Sequence, residues 1–394
     1  MSEQCKVPRQ KEAIAQPLAP IAIISEQLDS NFSDSVNYHL RNRRNVIAQQ
    51  QQCLADTVGY LRSDYRIPVD LTRFTSGEGK AYVKDSVRGH DVFIICDVLN
   101  HGKFITRFNR MSSLSPDDHF MDVVRIISAI HGTAKRVNVV LPYLYESRRY
   151  QRTNRGSLDC AVMLKYLFEM GVSNVLTFDA HDPRVKNAVP GKNFESVSTS
   201  FQIIEAILDH YDDLALDSDH LVVVSPDETT VSRCIYYASM LKVPLGIFYR
   251  RRQFNSQLGI YDENEKRYLG DSLEGKDVLL IDDMIDTGNT MVSCAKALKE
   301  KGAKRIICAA SFAQFTKGFE HINQAHEEGC IERVFATNMC FRSEALLAAN
   351  WYTDVSISRY LALILDSLNC DSSLSALLDP TERIKRRIQE YGKQ

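Results

Sequence analysis

Two adjacent acids, Asp282 and Asp283, are followed after two apolar residues by Asp286-Thr287-Gly288-Asn289-Thr290, the densest chemistry in the chain. Backbone amides at a helix start, the hydroxyls of Thr287 and Thr290, and a glycine that permits close backbone approach make a cradle for a phosphate. The two carboxylates beside it would repel further phosphate. They suit the neutral vicinal hydroxyls of a sugar, or a metal ion. A single ligand with a phosphate at one end and a diol at the other is a pentose 5-phosphate. A bare Asp-Thr-Gly would mean only a capped helix after a strand.

Other polar groups gather where strands are expected to end. Arg148, Arg149, Arg152 and Arg155 follow one apolar run, and arginine forks bind phosphate oxygens and stack on bases. Asp179-Ala180-His181-Asp182 follows another. A histidine flanked by aspartates there is a candidate for metal coordination or for steering a polyphosphate. Ser225-Pro226-Asp227-Glu228-Thr229-Thr230 follows a third, with Asp227 a candidate magnesium ligand and the threonines candidate helix caps. Arg250-Arg251-Arg252 opens a polar stretch without periodicity to about Leu273, the shape of a basic lid over transferring phosphates. Arginine clusters, acids suited to magnesium and a ribose-phosphate cradle together imply a reaction between a nucleotide polyphosphate and a sugar phosphate.

These residues need elements to hold them. Short apolar runs at Ile21–Ile24, Val92–Cys96, Val137–Tyr145, Asn174–Phe178, Leu221–Val224, Leu245–Tyr249, Val278–Ile281 and Arg305–Ala310 read as buried strands. Ala81–Val83 alternates like a strand. Helical spacing occupies about 34–61, 157–170, 201–210, 229–241, 291–300, 357–368 and 382–393, the last expected as a solvated helix. Ser115-Pro116-Asp117-Asp118 starts a further helix with an N-cap serine, proline and two acids. Residues 99–114 fit neither pattern and are expected as an active-site loop. The alternation predicts two α/β halves of similar layout, each with a parallel sheet.

The chain has 394 residues, enough for two domains, with 44% hydrophobic and 25% charged residues as in soluble globular proteins. A net charge of −2 argues against a nucleic-acid binder with a phosphate-neutralising face. The 10 cysteines form no Cys-x-x-Cys pair, and several lie in apolar runs, which suits a reducing cytoplasm. No run has membrane-spanning or signal-peptide length. Residues 1–19, with Pro8 and Pro17, read as a flexible tail.

Several motifs in one order resemble the ribose-phosphate pyrophosphokinase family over roughly residues 70–375. They are Phe74-Thr75-Ser76-Gly77-Glu78 with Val87-Arg88-Gly89-His90-Asp91, Pro142-Tyr143 through Arg148, Asp179 and His181, Ser225-Pro226-Asp227, Arg250–Arg252, and Asp282 to Thr290. The resemblance implies two phosphoribosyltransferase-like domains, 20–198 on the nucleotide side and 199–364 on the ribose 5-phosphate side, with 365–394 a tail packing back on the first. It implies magnesium-dependent transfer of the β,γ-diphosphoryl group of ATP to ribose 5-phosphate, in homo-oligomers built from dimers with an ATP site shared across a subunit contact. In that picture Phe74, Glu78, Arg148, Arg149 and His181 take ATP, and Asp227, Asp282, Asp283 and residues 286–290 take ribose 5-phosphate. Asp179, His181 and Asp227 hold Mg2+, while Arg250, Arg252 and His181 are catalytic.

The chain departs from the family pattern in places. Arg250 stands where lysine is usual, Ser76 replaces an aspartate, and Glu228-Thr229-Thr230 replaces Ala-Gly-Gly. The ribose loop ends Thr-Gly-Asn-Thr rather than Thr-Ala-Gly-Thr. An active synthetase leads; a regulatory paralogue without full activity and a phosphoribosyltransferase are the alternatives.

Overall fold

The computed structural model describes residues 16–26, 31–152, 154–255 and 260–392, and of residues 31 and 250–266 the backbone alone. The expected tail falls mostly on residues 1–15, outside this set. Leu18 N, just before the first strand, donates to Asn369 O at 2.8 Å.

The first half runs β1 (Ile21–Ser25), α1 (Asn31–Gln50), α2 (Gln52–Ala55), β2 (Val69–Arg73), β3 (Gly79–Val83), β4 (Asp91–Ile95), β5 (Phe104–Arg107), β6 (Arg110–Ser113), α3 (Pro116–Ile130), β7 (Arg136–Leu141), α4 (Asp159–Glu169), β8 (Asn174–Phe178) and β9 (Asn193–Val197). Five of these strands form a parallel sheet in the order β1-β4-β7-β8-β9. β4 is buried along its whole length, as an uninterrupted Val-Phe-Ile-Ile run requires when helices cover both faces. α3 begins with the expected cap: Asp118 N donates to Ser115 Oγ at 3.2 Å while Ser115 N donates back to Asp118 Oδ2 at 3.0 Å.

The second half runs α5 (Ser200–His210), β10 (Leu221–Ser225), α6 (Val231–Leu241), β11 (Leu245–Asn255), β12 (Ile260–Leu269), β13 (Asp277–Ile285), α7 (Asn289–Glu300), β14 (Arg305–Ala313), α8 (Glu320–Glu327), β15 (Arg333–Thr337), α9 (Glu344–Leu347), β16 (Tyr352–Val355), α10 (Ser358–Asn369), α11 (Ser375–Leu378) and α12 (Thr381–Tyr391). Its sheet has the order β12-β11-β10-β13-β14-β15-β16. From β10 the chain winds one way to β11, and from β13 the other way to β14. The crevice at the carboxyl ends of β10 and β13 is therefore a topological switch point, the usual ligand position in such sheets.

The structure corrects several expectations. Residues 99–114 are no plain loop: β5 and β6 pair as an antiparallel hairpin, Phe104 opposite Ser113. The stretch after Tyr249, expected as an unstructured lid, is an antiparallel pair of strands, with Arg250 opposite Lys266 and Arg251 opposite Glu265. Runs of consecutive charged residues, Arg250–Arg252 and Glu265–Arg267, hide the period of two there, and backbone pairing holds the strands regardless. β9, β15 and β16 were not anticipated; each is short and has too few apolar residues to show a pattern. The tail helix α12 is not solvated on all sides. It buries Ile384 and packs with Ile388 and Tyr391 against α5 and α6 of the second half, whereas α10 packs on α1 of the first.

Candidate active site

β13 does not end where its acids begin. It pairs with β14 through Asp282–Ala310 and Met284–Phe312 to Ile285–Ala313, whereas its pairing with β10 stops at Leu280–Val224. The strand thus overhangs its neighbour, and Asp282 and Asp283 lie along its edge rather than at its tip. Residues 286–288 then turn into α7, with Gly288 as N-cap at φ +76°. A Cβ there would lie 3.1 Å from Ile322, so a glycine suits both the conformation and the close approach.

A cleft of about 370 Å3 opens at this point. Its lining includes Asp282, Asp283, Asp286, Thr287, Gly288 and Thr290 from the β13–α7 turn, Asp227 and Thr229 from the end of β10, and Arg148 and His181 from the first half. Sequence-remote groups from two sheets are thereby brought together. His181 Nδ1 lies 2.5 Å from Asp283 Oδ2, and His181 N donates to Ser147 Oγ at 3.0 Å.

The two acids are pushed in opposite directions because their partners differ. Burial and the adjacent Asp283 charge push Asp282 well above the carboxylate range. Burial pushes Asp283 the same way, but the hydrogen bond from His181 and the charge of Arg233 outweigh it and hold Asp283 low. A proton shared by such a pair would give it one donor beside several acceptors. That set matches a vicinal diol, whose hydroxyls both donate and accept.

Asp227 and Asp179 are both engaged by hydrogen bonds within the protein. Thr229 N, Thr229 Oγ1 and Thr230 N donate to Asp227 Oδ1 at 2.8, 2.6 and 3.2 Å. Asp227 therefore closes an Asx turn on the loop that leads into α6, and the threonines expected as caps do not cap it: Thr230, the N-cap, makes no side-chain cap bond. Asp179, expected as a metal ligand, is fully engaged by protein. Its Oδ1 lies 2.9 Å from Arg233, and its Oδ2 accepts from Ser311 Oγ at 2.6 Å and from the amide and hydroxyl of Thr199. It does not line the cleft.

Of the other candidates, Arg149 and Asn289 are exposed and do not line the cleft. Phe74 and Glu78 sit on the β2–β3 turn, also outside it, with Phe74 49% exposed and Glu78 Oε2 accepting from Ser76 Oγ at 2.8 Å. The side chains of Arg250 and Arg252 lie outside the described residues. Arg233 was missed: it ties α6 to Asp179 across the two halves. The signal was an arginine beside Cys234 and one turn before the apolar pair Tyr237 and Ala238, a place that demands an acid. Met284, Ile285 and Met291, also unforeseen, give the cleft an apolar side.

Known proteins share this arrangement of chain. A family model for the N-terminal domain of ribose phosphate pyrophosphokinase matches residues 46–171, and one for the phosphoribosyl transferase domain matches residues 192–339. A ribose-phosphate pyrophosphokinase of Vibrio parahaemolyticus is 30% identical over 317 residues, covering 78% of this chain and 90% of that protein. One from Haemophilus ducreyi is 31% identical over 314 residues, 78% of this chain and 89% of its own. The crystal structure of phosphoribosylpyrophosphate synthetase from Mycobacterium smegmatis superposes with a TM-score of 0.66 at 21% identity, covering 89% of this chain and 98% of that one, a likeness of fold.

Proposed function

Because this chain belongs to the ribose-phosphate pyrophosphokinase family, we propose that it makes 5-phosphoribosyl 1-pyrophosphate and AMP from ATP and ribose 5-phosphate. The C1 hydroxyl of the sugar attacks the β-phosphorus of ATP. The bond from that phosphorus to the α,β-bridging oxygen breaks, AMP leaves with that oxygen, and the hydroxyl proton passes to solvent. The observation that carries this reading is a single cleft in which the adjacent carboxyls of Asp282 and Asp283 lie beside a glycine-capped helix start.

In this reading residues 286–290 hold the 5-phosphate, and Asp282 and Asp283 hold the ribose hydroxyls. His181 fixes Asp283 and faces the reacting phosphates. Arg148 at the cleft receives the nucleotide, with Arg149 beside it. Arg250 and Arg252 stabilise the charge that builds on the leaving AMP. Phe74 and Glu78 do not reach the cleft of their own chain, so a second copy supplies them. This makes a homo-oligomer of dimers or higher the working form.

Mg2+ fits the groups present. It takes one or two carboxylates with substrate phosphates and keeps waters, and Asp227 Oδ2 and His181 Nε2 have no hydrogen bond among the described residues. Asp227 and His181 would hold it, while Asp179 is withdrawn from that role by Arg233. When bound, the ion neutralises charge on the β- and γ-phosphates. The cytosol is the proposed site of action: the nine cysteines among the described residues form no disulfide, and no described helix is long and apolar enough to cross a membrane.

A second reading, a regulatory paralogue without full activity, draws on one observation. Thr229 stands in the cleft and Asp227 Oδ1 is committed to the loop itself, where the family pattern has small residues. Incubating the pure protein with ATP, ribose 5-phosphate and Mg2+ and measuring AMP separates the two. AMP formation above background supports the enzyme; none, with ribose 5-phosphate still bound, supports the paralogue. Pyrophosphate release with a purine, pyrimidine or orotate acceptor would instead favour a phosphoribosyltransferase.

A further inference from the structure

A second and larger cavity, of about 600 Å3, opens between α1, α5, α10 and α12, away from the cleft described above. Its size lies in the range of small-molecule sites. Four guanidiniums line it: Arg43, Arg359, Arg383 and Arg386, against one carboxylate, Glu205. All four arginines lie outside the segments that match the two family models. Arg43 is paired with Asp366 at 2.8 Å, but Arg359 and Arg386 are exposed and make no ion pair among the described residues. In a chain of net charge −2, gathering such groups around a hollow is unfavourable unless an anion offsets them.

Arg383 shows what the hollow lacks. One of its terminal nitrogens donates to Leu377 O at 2.8 Å, and its guanidinium stacks on the rings of Phe201 and Tyr360, 5.0 and 5.2 Å from their centroids. Its Nε is buried without a hydrogen-bond partner. Phe201, Tyr360 and the apolar side of α1 at Val46 and Ile47 supply a surface for a flat ring or apolar body.

We propose that this cavity is a binding site for a small phosphorylated molecule with a ring, of the nucleoside phosphate class. Its phosphate oxygens meet Arg359 and Arg386, and its ring lies beside Phe201 and Tyr360. The proposal is independent of what the cleft does.

Calorimetric titration of the full chain with GDP and with inorganic pyrophosphate tests it, beside the Arg359→Ala/Arg386→Ala and Arg148→Ala variants. Circular dichroism and sedimentation check fold and mass. The expected result is saturable binding of at least one probe, weakened about tenfold or more in the double variant through loss of charge-assisted hydrogen bonds, and unchanged in Arg148→Ala. Absence of saturable binding with both probes overturns the proposal, as does equal binding by the double variant. Binding lost only in Arg148→Ala would belong to the cleft and overturns it as well. A changed mass in the double variant would assign the arginines to a contact between copies instead.

Discussion

Replacing Asp283 by asparagine removes the charged acceptor that His181 Nδ1 holds at 2.5 Å, and takes away the neighbouring charge that adds to burial in pushing Asp282 up. One charge-assisted hydrogen bond is worth about 1.5–3 kcal/mol, so kcat/KM for ribose 5-phosphate is expected to fall roughly 10- to 100-fold. Steady-state kinetics check this, and an unchanged value would remove the acid pair from the sugar site. Gly288→Ala acts through backbone instead. With φ at +76° and Ile322 at 3.1 Å from the new Cβ, a loss of about 1–2 kcal/mol is expected in urea unfolding. These two positions were legible in sequence because their chemistry is local. The Asp227 turn was not, since a side chain that closes a turn on its own loop and one that faces a ligand have the same spacing.

Elements are joined here by buried charge. Asp366 on α10 pairs at 2.8 Å with Arg43 Nε and Arg44 Nε of α1, and Arg44 is fully buried between the rings of Tyr60 and Tyr65. Asp366→Ala leaves Arg44 without its counter-charge, and a cost of about 3–5 kcal/mol is expected in thermal or denaturant unfolding. A second tie links β1 to α3, where Glu26, just after β1, holds His119 Nδ1 at 2.7 Å. Burial acts to lower His119, but the hydrogen bond and charge of Glu26 raise it overall. Burial acts to raise Glu26, yet His119 and Lys103 hold it low. The histidine contribution is full below its ordinary 6.5 and fades as pH rises through the raised value. The glutamate contribution is full above its ordinary 4.5 and fades as pH falls through the lowered value. The stability gap between the native chain and His119→Gln is therefore expected to peak between those two values and to shrink toward alkaline pH, as urea midpoints across pH would record.

At the scale of the molecule, the cleft needs both sheets: one supplies His181 and Arg148, the other the ribose loop and Asp227. If a second copy supplies Phe74 and Glu78, two defective chains can complement each other. Glu78→Ala and Asp283→Asn variants, each of low activity alone, are expected on mixing and reassociation to recover about a quarter of native sites. No recovery in assembled mixtures would mean that each chain builds its nucleotide site unaided.

Much of this was readable before any fold was known. Buried parallel strands announce themselves as apolar runs, the Ser115 helix start by its cap, and the sugar-phosphate loop by acids, hydroxyls and glycine within nine consecutive residues, all interactions of short range along the chain. What stayed hidden depends on partners far apart in sequence. That β13 runs on past Leu280 follows from β14 lying beside it, and that Asp179 pairs with Arg233 follows from α6 crossing to it. The hairpin after Tyr249 is held by backbone pairing, to which its side-chain pattern is blind. Packing chooses among partners that spacing leaves equally available, so it took the assembled sheets to settle them.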